Sequence, residues 1–461
     1  MKKVLYLMIF SISMNTYSQI VDGYEYGKKI EIHDENVYGL ANHSNFPVLF
    51  HFINDDLKNS EYGGDITSIE GWDIIFTTED CELQLSHQIE SYDPVLGDLI
   101  CWVKIPDLSP SEITTIHMVY SNATISESTE NEDVWGNSFR GVYHFDELDD
   151  VMDYSTFGNT AENHDVENST EGKLLGARYY DDFFDYVEIG GEGMDGLNGT
   201  VSMWARPELF SIPSRYLYGH TSMPSYDNRI QIYTGHWTVD SNAFNQGFGD
   251  SHLLSLEMAY LNIDEWIHVT CSWNSNDFIT RMYLNGEEVS AVEFSGLTVF
   301  DLADIGNNGS EVHDQGFYGL IDEVHIANSE RSAGWIKTAY NNQNEPEVFA
   351  TLLDELPIDE ICGTELEDST GVGIKQLVDV GLSIYPNPAN EYLIVAFNST
   401  DLSEYKIEII NVLGEEMTLE NIEVLSENRQ AINTSHLSNG IYYIYFLNET
   451  ELIKKSFVVS H

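Results

Sequence analysis

The segment GLIDEVHIANS, residues 319–329, decides how the rest of the chain is read. Read as a strand, it places Leu320, Asp322, Val324 and Ile326 on one face and Ile321, Glu323 and His325 on the other, because strand side chains alternate. Asp322 then falls in an apolar row. An ionised carboxylate buried without a partner is too costly to keep, so Asp322 should be paired, bind a metal, or sit at the strand's wet end. The stretch therefore marks a candidate site.

Working outward, EWIHVTCSWN at 265–274 alternates Ile267, Val269, Cys271 and Trp273 against Trp266, His268, Thr270 and Ser272, as a half-buried strand does. In MYLNGEEV at 282–289, Asn285-Gly286 supplies the positive backbone angles of a tight hairpin turn. Upstream lie TVSMWARP at 200–207, DYSTFGN at 153–159 and GVYHFDE at 141–147. In that order, closed by the GLIDEVHIAN strand, these segments resemble the laminin G-like (concanavalin A-like lectin) jelly roll of bacterial surface proteins. WIKTAYNNQNEP at 335–346 resembles the tail that follows it. The departure is His325, which stands where the family often has Arg. The resemblance covers residues 134–353 and implies two packed antiparallel sheets.

Toward the start, residues 1–18 read as a signal peptide: Lys2 and Lys3, an apolar run from Val4 to Met14, then Thr16-Tyr17-Ser18 as the cleavage site. The run is too short to span a bilayer, and no other transmembrane candidate follows it. Residues 19–130 read as successive strands spaced for a β-sandwich. Within them GWDIIFT, HQIESYDPVLGDLICWVKIPDLS and IHMVYSN resemble a bacterial domain of unknown function that often precedes laminin G-like modules. His87 and Glu90 suggest a catalytic pair, but three residues apart on a strand they point to opposite faces, so both are expected to be ordinary strand residues.

Residues 354–379 are acidic and poor in aromatics and read as a linker. Residues 380–461 then carry SIYPNPANEYLIV, IEIINVLGEEM, HLSNGIYYIYF and IKKSFVVSH. The Pro386-Asn387-Pro388 turn, the hairpin at Leu437–Tyr442 and the pair Lys454-Lys455 before a last apolar strand resemble the C-terminal sorting domain of the type IX secretion system of Bacteroidota. That resemblance implies partnership with the type IX machinery and a product released from, or attached to, the outer surface of a Gram-negative cell.

The expected fold class is therefore all-β: three β-sandwich domains in series, the central one a concanavalin A-like jelly roll. Aromatic residues at 12% and the absence of a long helical period agree with it. A formal charge of -57 argues against nucleic acid and anionic membranes as partners. The four cysteines fit no zinc or redox pattern. Cys81 and Cys101 flank one hairpin, but with Cys101 opposite Ile89 they would lie about 26 Å apart along the strand, too far to bridge. Cys271 reads as a buried hydrophobe, and Cys362, in the linker, is open to any neighbour.

Calcium is the expected cofactor. Laminin G-like modules often hold this ion, and by resemblance Asp153, Asn159 and Asp322 would ligate it, since it takes six to eight hard oxygens. The alternative is that Asp153 caps a turn and Asp322 accepts backbone hydrogen bonds. For a sugar, Tyr226, Tyr233 and Trp237 are the candidate contacts, because sugar C–H faces pack on aromatic rings; the alternative packs Tyr233 and Trp237 between sheets. The hydrolase pattern of this fold, E-x-D-x-x-E, fails at its last position, since Glu147-Leu148-Asp149 is followed by Met152. The chain thus reads as a secreted surface protein whose central domain binds a carbohydrate, surface glycan or protein; catalysis is not expected. A glycoside hydrolase of unrecognised type and a spacer without ligand are the other readings.

Overall fold

The computed structural model describes residues 19–362 except 137, 149, 191–195, 210–213, 222–228, 237–238, 250, 256–262, 296–301 and 311. In the tail it describes 383–385, 389–390, 392–396, 406–411, 416–417, 422–426, 429–447 and 452–459. The signal peptide and the Pro386-Asn387-Pro388 turn lie outside the described residues. The chain divides into two compact units, residues 1–364 and 365–461.

The first unit contains two sandwiches. In the first, strands Tyr26–Ile32, Ile75–Thr78, Gln84–Leu85 and Thr114–Tyr120 share a sheet, and strands His43–Ile53, Asp98–Leu108 and His87–Asp93 form the facing one. Ile30, Phe50, Phe76, Cys101, Val103 and Met118 are among the side chains that fill the space between them. Ile89 pairs with Cys101, as the hairpin spacing predicts, and Cys101 and Cys271 are free and buried.

The expected linker begins differently. Strand Ala350–Pro357 pairs with Tyr26–Ile32 along the edge of the first sandwich, and the short helix Ile358–Ile361 follows it. Cys362 then forms a disulfide with Cys81. Residues 354–362 are therefore part of the first sandwich; their composition resembles a linker because an edge strand exposes one side to water.

The central sandwich has an eight-stranded sheet built around Gly319–Ala327, which is flanked by Asn198–Pro207, by Ala177–Tyr180 and, off the main path, by Phe139–Tyr143. Facing it is a seven-stranded sheet that includes Arg215–His220, Arg229–His236 and Leu302–Ile305. Ile267, Val269, Cys271 and Trp273 all enter the core, as the alternation predicts. Asn285 and Gly286 take the positive φ angles, 50° and 75°, of the expected turn.

Alternation fails in the deciding stretch itself. Ser202 pairs with His325 while Trp204 pairs with Asp322, so the register slips by one residue between them. Glu323 takes a φ of +49°, the left-handed conformation of a β-bulge. The bulge reverses the faces: Ile321, Val324 and Ile326 enter the core together, and Asp322 and His325 lie on the other side. Asp322 therefore does not share a face with Val324 and Ile326, as strict period-two reading expects.

The outer face of this sheet is covered. Leu49, Ile100 and Trp102 of the first sandwich meet Val134, Trp135, Phe139, Val142 and Ala327 in one apolar cluster. Helix Ala333–Asn344, capped by the Ser332 side chain accepting from the Trp335 amide, lies over the rest. Its Asn342 clamps Leu49 through both backbone groups, at 2.7 and 2.8 Å, and its Gln343 accepts the Trp204 indole at 2.7 Å. The first two sandwiches thus bury a common seam.

In the second unit, two four-stranded sheets pack over Leu393, Val395, Ile409, Ile444, Phe446 and Phe457.

Replacing Trp135 by Ala removes one of the tryptophan side chains of the seam. It is expected to destabilise the first unit by about 3–5 kcal/mol, read by denaturant unfolding. His268 gives a pH signature. Its ring packs 5.2 Å from Trp204, and burial, with Lys173 adding, holds its pKa down at about 3. The unfolded chain takes up this proton near 6.5 and the folded chain does not, so stability should fall as pH drops from about 6.5 toward 3. His268→Gln should flatten that part of the pH–stability curve.

Candidate functional site

The expected calcium ligands are occupied by N–H groups. Asp153 accepts the amides of Val142 and Ser155 on one oxygen, and the Ser155 hydroxyl and the Asn159 amide and side chain on the other. Asn159 also donates to the Arg140 carbonyl. Asp322 is fully buried and accepts the amides of Lys173, Leu174 and Glu323 at 2.7, 3.2 and 2.8 Å. Asp153 and Asn159 come together as a turn cap; Asp322 shares no partner with them and instead anchors the loop at 173–174 to its strand.

Of the aromatic residues expected to contact sugar, Tyr233 is 4% exposed and its ring packs 4.8 Å from that of Tyr216. Tyr226 and Trp237 lie outside the described residues.

What the fold brings together instead lies at the seam. His144 Nδ1 stands 2.9 and 3.1 Å from the two carboxylate oxygens of Glu323 and 3.6 Å from Glu90 Oε2. His325 Nε2 is 3.1 Å from Glu323 Oε2. Behind them the Trp102 indole donates to Glu90 at 2.6 Å, and the Trp135 indole donates to Gln88 at 2.6 Å. The side chains of His144, Glu90 and Glu323 are 0–2% exposed. Burial, with Glu323 nearby, pushes the Glu90 carboxyl up to about 8. Burial raises Glu323 well above the usual carboxylate range and lowers His325 well below the usual imidazole range.

Two bulges lie in the strands that build this cluster. Glu90 is the unpaired residue where the register slips between Ile89 and Ser91, just as Glu323 is in its own strand. The bulge at Glu323 carries its side chain into the seam, whereas Glu90 shares the seam face with Gln88 by ordinary alternation. His87 points the other way, into the first sandwich against Phe76, so the expected separation of His87 and Glu90 holds. Glu90 accepts from Trp102 of its own sandwich and also faces His144 and Glu323 of the central one.

Beside the cluster a cleft of about 390 Å3 opens to solvent. Glu90 and Ser91 line it from the first sandwich; Asp146, Glu147, Asn168, Ser169 and Thr170 line it from the central one. Burial raises the Glu147 carboxyl above its usual range. Phe145, Leu148 and Leu175 complete the wall, so the cleft sets a few polar groups within a largely apolar surface.

With this geometry in view, the family comparisons divide the chain. Residues 181–337 match the concanavalin A-like lectin/glucanases superfamily. The lectin-like domain is preceded by a match to a domain of unknown function (DUF2341) at 70–159. It is followed by a match to the secretion system C-terminal sorting domain at 383–460. The chain is accordingly a secreted or cell-surface protein sorted by the type IX machinery; among the described residues no helix is long and apolar enough to cross a membrane. Cluster residues Glu90 and His144 fall in the first matched segment, Glu323 and His325 in the lectin-like one. No curated protein matches the chain.

Solved structures similar to this chain include domain 4 of an extracellular GH43 arabinanase from Geobacillus stearothermophilus in complex with arabinotriose, at 18% identity and TM-score 0.36, covering 44% of this chain and 98% of that one. Others are the Botulinum neurotoxin serotype D binding domain, at 13% identity and TM-score 0.36, covering 68% and 71%, and the Trypanosoma rangeli sialidase, at 10% identity and TM-score 0.37, covering 52% and 42%.

With the N–H donors around Asp153 and Asp322 already committed, millimolar Ca2+ is expected to leave the thermal midpoint of the full chain unchanged. A rise with Ca2+ that disappears in Asp153→Asn would restore the calcium reading.

Proposed function

We propose that the chain is a secreted surface protein that captures a neutral carbohydrate in the cleft between its first two sandwiches. The observation that carries this reading is the cleft itself, whose size of about 390 Å3 suits a small oligosaccharide and whose largely apolar lining, from Phe145, Leu148 and Leu175, carries a few polar groups at its mouth. Asp146 accepts hydrogen bonds from sugar hydroxyls, and Asn168, Ser169 and Thr170 both donate and accept. The chain's net charge of -57 disfavours uronic and sialic acids, which sets the preference for a neutral ligand. The outer face of the larger sheet is covered by the first sandwich and the helix, so a ligand would meet this region at the cleft and not on that face.

A hydrolase reading would take Glu90, with its raised pKa of about 8, as proton donor. Its side chain is 2% exposed and its Oε2 already accepts the Trp102 indole, so binding without turnover is favoured.

Arrays of neutral and acidic oligosaccharides probed with the full chain test the reading. Neutral glycans should bind and acidic ones should not, and Asn168→Ala or Asp146→Asn should weaken binding by about tenfold, roughly 1.4 kcal/mol. Release of reducing sugar would establish the hydrolase instead, and silence across the array would leave a spacer without ligand.

A further inference from the structure

We infer that His144, Glu323 and His325 form a binding site for a divalent transition metal ion, best matched by Zn2+, and that Glu90 faces it from the first sandwich. The three donors place one ligand atom each within 4.8 Å of the others. They are 1%, 1% and 6% exposed. Two imidazole nitrogens and a carboxylate are the donor set of zinc and its neighbours, whereas calcium is held by oxygens.

The hydrogen bonding of His144 gives an independent reason. Its Nδ1 faces carboxylate oxygens of Glu323 and Glu90, and its Nε2 lies 3.4 Å from Gln88 Oε1. That Gln88 oxygen accepts the Trp135 indole, so it is an acceptor here. Both ring nitrogens of His144 therefore face acceptors, but a neutral imidazole carries one N–H. With that proton on Nε2 and shared with Gln88, the Nδ1 lone pair points at two carboxyl groups and needs a proton or a cation between them. A divalent cation there coordinates these donors together, and a metal-bound histidine characteristically passes its second N–H to just such an acceptor. Among the described residues, the ion pairs of Glu90 and Glu323 are with imidazoles alone, so no Lys or Arg neutralises these buried carboxylates by direct contact.

The ion would join the two sandwiches. His144, Glu323 and His325 belong to the central one, and Glu90 approaches from the other side of the seam. Two other groups of ligating residues are weaker rivals: Cys81, His117 and Cys362, whose thiols are joined as a disulfide, and the partly exposed Asp56, Asp65 and Glu355.

Metal analysis of the purified full chain, followed by chelation and calorimetric titration with Zn2+, tests the site. A stoichiometric ion that raises the thermal midpoint is expected, because an ion bound only by the folded chain stabilises it. His325→Arg removes one nitrogen donor while its guanidinium can still pair with Glu323. Zn2+ affinity should fall on the order of 100-fold in this variant with its circular dichroism unchanged. Should the variant fail to fold, pulsed electron paramagnetic resonance of the Cu2+-loaded natural chain should show coupling to two inequivalent imidazoles. A stripped chain that binds no Zn2+, binding that survives intact in a folded His325→Arg chain, or a Cu2+ spectrum without two imidazoles would overturn the inference and leave a buried imidazolium–carboxylate pair.

Discussion

A carboxylate held out of water at a β-bulge, Glu323, is the constraint around which the first unit is arranged. Its strand would be an ordinary member of a sheet if the register were continuous. Instead the slip opposite Met203 puts Glu323 into left-handed backbone and sends its side chain outward, where water would normally receive it. Burial there would be prohibitive without partners. His144 and His325 supply them from the same sandwich, and the first sandwich closes over all three.

That closure explains why the two sandwiches do not behave as beads on a string. Trp102 and Trp135 are large apolar surfaces whose rings lie 5.0 Å apart, and each also spends its indole N–H on a polar group of the seam. The apolar cluster excludes water, and the polar cluster inside it then depends on every hydrogen bond being made. The return of strand Ala350–Pro357 to the first sandwich, fastened by Cys81–Cys362, ties the chain on both sides of the lectin-like domain to the same neighbour. The cleft at the edge of the seam therefore has walls from both sandwiches.

The broad sheet face of the lectin-like domain is used up in joining the two sandwiches. Asn168, Ser169 and Thr170 sit instead at the seam's open edge, beside the cleft proposed for a ligand.

The sequence alone determined the all-β class, the order of the three family segments and the sorting tail, because these rest on alternation, turn residues and motif order, all local along the chain. It also determined that Ile267, Val269, Cys271 and Trp273 face the core, that Asn285-Gly286 makes a hairpin, and that Cys101 cannot reach Cys81. The second, bland reading of Asp153 and Asp322, as hydrogen-bond acceptors for the backbone, was legible too. Only the tertiary structure decided which residues meet. A bulge shifts parity by a single residue and carries no strong sequence signal, so the faces of the 319–329 stretch could not be read from period two. The pairing of Cys81 with Cys362 and of Glu90 with His144 joins residues distant along the chain. Such contacts are set by how sheets pack, a property of the assembled surfaces that no local pattern encodes.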